Sequence, residues 1–404
     1  MRRSRSRPLG LALTFATSMI LTLSVGLAQD DPPADPPKAA KDKVNVKDKA
    51  KDKARRKGPV APAGAPPKTN RPNGADPLNK AAGAAAAIGP DGKAAVAKAA
   101  MVEPPAWPFF MKLRISGGDG APIAASYYPP RNRFNAPVIL LIHDRGPGRS
   151  AKDWQEPLEE LKGISLAESL QEQGYAVLVP DLRGHGANPR HELTPPQWRA
   201  LPADLQAMYL FLVDRHNRGD FNLAKLGVIA MGDGANLVAA WASLPGAAVS
   251  SEGRVGDLSA LILISPTEDA GGLKLLPALA PIAPRVPIYI LCGDRDAASL
   301  KVVKDAQPVV ERHQRSKVSY FDTALHGYRL VHFFPKVPAA VAKFLEDPVK
   351  ARVLDWEPRF LLTRVEYLSE GLVKSRTTTE AADAAKKAAD AAKKAEPAKK
   401  KDDG

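Results

Sequence analysis

The chain of 404 residues has one cysteine, Cys292, so no intrachain disulfide can form. It has one long apolar run, Leu9 to Leu27, so no second stretch is long enough to span a bilayer. From Gln29 to about Glu103 it has no aromatic residue and few large aliphatic ones. A segment built of alanine, proline, lysine and aspartate buries too little apolar surface to offset its ordering entropy. Residues 29–104 therefore read as a disordered linker, partly extended by prolines. No spacing of His, Cys, Asp and Glu forms a metal motif, and no cofactor fingerprint occurs. Neither a metal nor a cofactor is expected.

The apolar run follows Arg2, Arg3, Arg5 and Arg7 and ends in Gly26-Leu27-Ala28. A basic start, an apolar middle and small residues at the end predict a signal peptide over 1–28, cleaved near Ala28–Gln29. Thr14, Thr17, Ser18 and Thr22 interrupt the run; left uncleaved, it would be a membrane anchor. The expected location is periplasmic or extracellular.

Net charge is +14, but it is unevenly placed. Residues 1–104 hold 19 Lys/Arg against 9 Asp/Glu, and 377–404 hold 7 against 6. The part between them is nearly neutral. A basic flexible arm suits anionic envelope surfaces, and export makes nucleic acid the least favoured polyanion. The tail 377–404 repeats AADAAKK in tandem at Ala381–Lys387 and Ala388–Lys394. It reads as a disordered tail able to form a transient helix, with no apolar stripe to dock it.

Between Trp107 and about Arg376 the pattern changes. Phe109–Ile115 and Pro122–Tyr128 flank a GGDG turn and predict a hairpin. PVILLIH (137–143), YAVLVP (175–180), LGVIA (226–230), LSALILIS (258–265) and PIYILC (287–292) are continuous apolar runs, as expected of strands covered on both faces. Helical spacing is predicted over Leu158–Gln173, Leu201–His216, Leu300–His313 and Val337–Leu345, with a short strand at Val318–Phe321. Alternating strand and helix gives an α/β fold with a mostly parallel sheet and helices on both faces, over 105–350. Residues 351–376 are expected to extend this domain as an added strand or helix.

The stretch Leu226–Ala242 (LGVIAMGDGANLVAAWA) reads as a strand, a tight turn and a helix. Its small-x-nucleophile-x-small pattern falls on Ala230, Gly232 and Gly234. Other turns stand in a suggestive order: His143-Asp144 after a strand, Asp181-Leu182-Arg183-Gly184-His185-Gly186, Gly293-Asp294-Arg295-Asp296, and His326-Gly327. Together they resemble the α/β-hydrolase fold family, in its serine aminopeptidase and lysophospholipase-like branch, over most of 107–346. The resemblance implies an acyl-transfer site with Asp296 as the carboxylate that holds a histidine, His326 as that histidine, and an oxyanion hole drawn from about Arg145 and Asp233.

The pattern departs from the family at the reacting atom. The nucleophile position is Gly232, which has no side chain. A slip of one residue would make Asp233 the attacking group, but then Met231 would occupy a position that needs a small residue. Cys292 is a further candidate thiol. Asp144 stands where the family has a small residue, and a negative charge beside a developing oxyanion opposes its stabilisation. Arg145 offsets this if its side chain turns inward. Two functions stay open. One is an exported pseudo-hydrolase whose cleft binds a small molecule or peptide. The other is an active ester or peptide hydrolase using Asp233 or another nucleophile with Asp296 and His326.

Overall fold

The computed structural model describes residues 106–188, 192–246, 248, 256–360 and 364–395. The expected signal peptide, the linker and the last residues of the tail lie outside the described residues. Among the described residues, no helix is long and apolar enough to cross a membrane.

Two antiparallel strands open the fold, β1 (Phe109–Ser116) and β2 (Pro122–Tyr128). The remaining central strands are β3 (Val138–Ile142), β4 (Ala176–Pro180), β5 (Leu226–Met231) and β6 (Leu258–Ile264). A two-residue hairpin, β7 (Asp269–Ala270) and β8 (Leu273–Lys274), precedes β9 (Ile288–Gly293), β10 (Lys317–Phe321) and β11 (Tyr367–Lys374). Nine strands form one sheet in the order β10-β9-β6-β5-β3-β4-β2-β1-β11. From β10 to β4 neighbours run parallel; β2, β1 and β11 are joined antiparallel. The stretch 351–376 thus contributes an added strand, β11, at the sheet edge.

Burial of both faces explains the continuous apolar runs. Val138, Leu140 and Ile142 of β3 enter one core, and Ile139 and Leu141 enter the other. On β5, Val228 and Ala230 face the first core while Ile229 and Met231 face the second. Side chains alternate across a strand, so a fully covered strand needs apolar residues at every position.

The helices α1 (Leu166–Glu172), α2 (Pro195–Ala200), α3 (Pro202–Asn217), α4 (Asp233–Ala242), α5 (Leu275–Leu279), α6 (Leu300–Val310), α7 (Gly327–Phe333) and α8 (Lys336–Leu345) close the two faces. Leu205 and Leu212 of α3, Leu237 and Val238 of α4, and Val302 and Val303 of α6 bury in the first core. Leu170 of α1, Leu330 of α7 and Val341 of α8 bury in the second.

One helix differs from expectation. Leu158–Gln173 is not continuous: a 3-10 turn at Glu159–Leu161 stops at Lys162 and Gly163, both with positive φ, before α1 begins. Ser165 and Glu168 form a capping box that sets the new start. The tail forms α9 (Thr378–Ala395). Its start is tied to the domain, where Arg376 pairs with Glu168 at 3.0 Å and the Thr378 amide donates to Glu172 at 2.8 Å.

Candidate functional site

The site lies at the carboxyl ends of β3, β5 and β9, where parallel strands hand over to loops and helices. Gly232 forms the turn between β5 and α4, with φ 54° and ψ −132°. Glycine holds that conformation without penalty, whereas a residue with a side chain is strained by about 1–3 kcal/mol. The Gly232 amide donates to the Ile264 carbonyl at 2.9 Å, fastening the turn to β6. At Gly234 the reason for glycine is close approach: a β-carbon there would lie 2.2 Å from the His143 carbonyl oxygen.

Asp144 fills the space above Gly232. A β-carbon on Gly232 would lie 2.2 Å from Asp144 Cγ and Oδ1 and 2.5 Å from Oδ2. The Asp144 carboxylate therefore stands where a side chain at position 232 would stand. Its Oδ1 accepts hydrogen bonds from the Arg145 amide at 2.7 Å and the Asp233 amide at 2.9 Å. These are the two amides expected of the oxyanion hole. The carboxylate expected merely to adjoin those amides accepts from both of them.

His326 precedes α7, and its Nδ1 lies 2.9 Å from Asp296 Oδ2. Asp296 is 3% exposed, and Ser299 Oγ lies 3.3 Å from the same imidazole nitrogen. Burial alone would raise the Asp296 carboxyl; the hydrogen bond and positive charge of His326 outweigh it and hold the group below the usual range. Burial opposes the charged form of His326, but Asp296, then Asp144 and Asp233, stabilise the imidazolium and raise it above its ordinary value. The next residue is Gly327, where a β-carbon would lie 3.6 Å from Asp144 Oδ2. That distance puts the start of α7 against the second carboxylate oxygen of Asp144.

The other candidates have different partners. Asp233 pairs through Oδ2 with Arg145 Nε at 2.9 Å and accepts from Thr267 Oγ1 at 3.0 Å. Arg145 does not neutralise Asp144: its guanidinium pairs with Asp233 and packs 5.1 Å above the Trp198 ring. Cys292 is fully buried in the core, and burial, then Asp296 and Asp294, push its thiol up to about 12. A thiol so protonated supplies almost no nucleophilic thiolate.

Two histidines not singled out as site residues hold this floor in place. His143 is fully buried, and burial pushes it down to about 3, so it is neutral. Its Nε2 accepts from the Leu182 amide at 2.9 Å, so Nδ1 carries the proton and donates to the Asp144 carbonyl at 2.5 Å. His185 bridges the carbonyls of Arg183 and Arg145, each at 2.8 Å. Asp181 accepts from the Ala151 amide at 2.7 Å and the Ala187 amide at 2.9 Å. The Asp-Leu-Arg-Gly-His-Gly turn thus braces the loop that carries Asp144 and Arg145. Sequence order hints at the brace; the pairing partners lie too far along the chain to be read from it.

Asp144, Arg145, Asp233 and His326 line a cleft of about 1210 Å³, together with Arg149, Lys152 and Leu193. Asp296 stands behind His326. The arrangement has a histidine–carboxylate pair, two convergent amides and a carboxylate bound to them, but no serine, threonine or cysteine at the turn.

Residues 163–318 match the family model described as serine aminopeptidase, S33. No curated protein sequence matches the chain. Among solved structures it is similar to an esterase from Pyrococcus furiosus, at 17% identity over 59% of this chain and 91% of that one, with a TM-score of 0.45. An acylaminoacyl peptidase from Pyrococcus horikoshii matches at 14% identity over 62% and 43%, with a TM-score of 0.45. An esterase from Exiguobacterium antarcticum matches at 12% identity over 59% and 100%, with a TM-score of 0.40. With its strand order, its turn between β5 and α4 and this family match, the chain has the α/β-hydrolase fold.

Proposed function

We propose that this is an exported pseudo-hydrolase in the serine sense: a protein that keeps the hydrolase cleft for a small molecule or peptide but forms no acyl-enzyme on the turn after β5. Gly232 is the degenerate nucleophile position, and Asp296 and His326 are the retained acid and histidine. The observation that carries the reading is the Asp144 carboxylate, seated over Gly232 with Oδ1 on both hole amides. A substrate carbonyl oxygen would have to expel a bound carboxylate before those amides could stabilise it. Loss of one such donor already costs about 10²–10³ in rate. Asp233 does not substitute as nucleophile, because its carboxylate is held by Arg145 and Thr267.

The test is acyl chemistry on the purified protein. Neither fluorophosphonate labelling nor nitrophenyl ester turnover should exceed that of a His326→Ala control. Labelling of the wild-type chain that disappears in the control would overturn the reading. Gly232→Ser alone should stay silent, because its β-carbon would meet the Asp144 carboxylate at 2.2 Å and the displaced charge would stay beside the two amides. Gly232→Ser combined with Asp144→Gly should gain weak esterase activity. For export, the mature protein is expected to begin near Gln29 by N-terminal sequencing.

A further inference from the structure

Resting on the reading that the cleft binds a ligand without acyl transfer, we propose that this ligand is a free α-amino acid, held as a zwitterion between Asp144 and Arg149. Two opposite charges flank one glycine there. A β-carbon on Gly146 would lie 3.7 Å from Asp144 Oδ2, 3.2 Å from Arg149 Cγ and 4.0 Å from Arg149 Cδ. All three residues line the cleft. Among the described residues Asp144 and Arg149 form no ion pair with one another; Arg149 pairs with Asp153 instead. Gly146 does not have positive φ, so backbone freedom is not what calls for glycine. The open space between the two charges is.

Each charge is fixed in place and keeps unused bonding capacity. The amides of Arg145 and Asp233 hold Oδ1 of Asp144, which orients the carboxylate. Among the described residues nothing donates a hydrogen bond to Oδ2. The Arg149 guanidinium lies 3.9 Å above the Tyr328 ring, and Tyr328 is itself tied to Glu156. Arg149 Nη1 stands 3.3 Å from Asp153 yet makes no hydrogen bond, and none of its other N–H groups donates to a described residue. Lys152 lines the same cleft with no ion pair among the described residues, so it adds positive charge beside Arg149. Arg145 and Asp233 neutralise each other, and Glu192 is exposed to solvent that screens it.

Spacing selects the ligand. Oδ2 and Arg149 Cδ both lie near the one point above Gly146, so a bridging molecule must carry its two charges close together. In an α-amino acid the ammonium and carboxylate share one carbon and lie about 3 Å apart. A hydrogen bond of about 2.9 Å at each end then reaches Oδ2 on one side and the guanidinium on the other. The carboxylate suits the planar fork of Arg149, which accepts it through two parallel bonds. A dipeptide separates its charged ends by about 3.5 Å more and fits less well. Pro147, Leu193 and Pro195 supply apolar surface in the same cleft, which favours an aliphatic side chain on the ligand.

The experiment is titration calorimetry on the full chain with L-leucine as the probe. Wild-type protein should give saturable binding. Leucine methyl ester lacks the carboxylate charge and N-acetyl-leucine lacks the ammonium. Each should bind about tenfold or more weakly, having lost one charge-assisted contact. Leucyl-leucine should also bind more weakly than leucine. Asp144→Asn should weaken leucine by about tenfold or more and leave N-acetyl-leucine unchanged. Arg149→Gln should weaken leucine and leave the methyl ester unchanged. Gly146→Ala keeps both charges and should still weaken leucine by filling the gap. The comparison of ligands on the wild type needs no variant, so it decides the matter even where a variant does not fold. Absence of leucine binding, equal affinity for either derivative or the dipeptide, or undiminished leucine affinity in folded Asp144→Asn would each overturn the proposal. Nitrophenyl ester and fluorophosphonate assays on the same preparations keep the two readings apart. Activity there sinks the pseudo-hydrolase reading. Silence there without leucine binding sinks only this one.

Discussion

Gly232→Ala is the most informative single perturbation of this site. The new methyl carbon would meet Asp144 Cγ and Oδ1 at 2.2 Å, so the carboxylate must leave its place. Leaving breaks two hydrogen bonds to a charged acceptor, together about 3 kcal/mol at the low end of about 1.5–3 each, suited to a half-buried group. The alanine also takes on the backbone strain of φ 54°, about 1–3 kcal/mol. A total loss of about 4–6 kcal/mol is expected. Asp144→Ala loses the same two hydrogen bonds and should cost about 3 kcal/mol. The double variant loses them once, so a double-mutant cycle by urea unfolding should give a coupling near 3 kcal/mol. Additivity to within about 0.5 kcal/mol would refute the claim that the carboxylate occupies the space above Gly232.

Three further outcomes follow from the same geometry. His326 has a raised folded value, so its contribution to stability is complete below the unfolded value of about 6.5 and is lost as pH rises through the folded one. NMR titration should place His326 above about 6.5 in the wild type and lower in Asp296→Asn; an unchanged midpoint in the variant would remove Asp296 as the cause. Cys292, pushed up to about 12, should resist iodoacetamide at pH 8 while folded and react once urea unfolds the chain. Labelling of the native protein at the rate of a free thiol would contradict its burial. Gly234→Ala should destabilise by about 1–3 kcal/mol or more, because the methyl group meets a backbone carbonyl that cannot rotate away. An unchanged urea midpoint would show that α4 does not pack so closely on β3.

Much of the fold was legible because its signals are local. Each central strand is a short apolar run, and those runs fell within a residue or two of β3, β4, β5, β6 and β9. Gly232 and the small residues around it marked the sharp turn for the same reason. Asp296 and His326 were legible only through their order along the chain, and they do meet at 2.9 Å. The break between Leu161 and Leu166 was missed because apolar spacing continued through it. The local cues that outweigh such spacing were present, in Gly163 and in the Ser165–Glu168 box.

By itself the sequence determined the central strands, most of the longer helices, the strand-to-helix turn and the absence of a side chain at Gly232. All of these follow from backbone preference and apolar period over a few residues. Only the tertiary structure decided what fills the space above Gly232. Asp144 and the Asp233 amide are 89 positions apart, and they meet because β3 and β5 are parallel neighbours whose carboxyl ends open on the same cleft. In sequence Asp144 is a charge near a hole. In the folded chain two backbone amides converge on its Oδ1, and that convergence is set by sheet order and by the His143 and His185 hydrogen bonds that fix the loop.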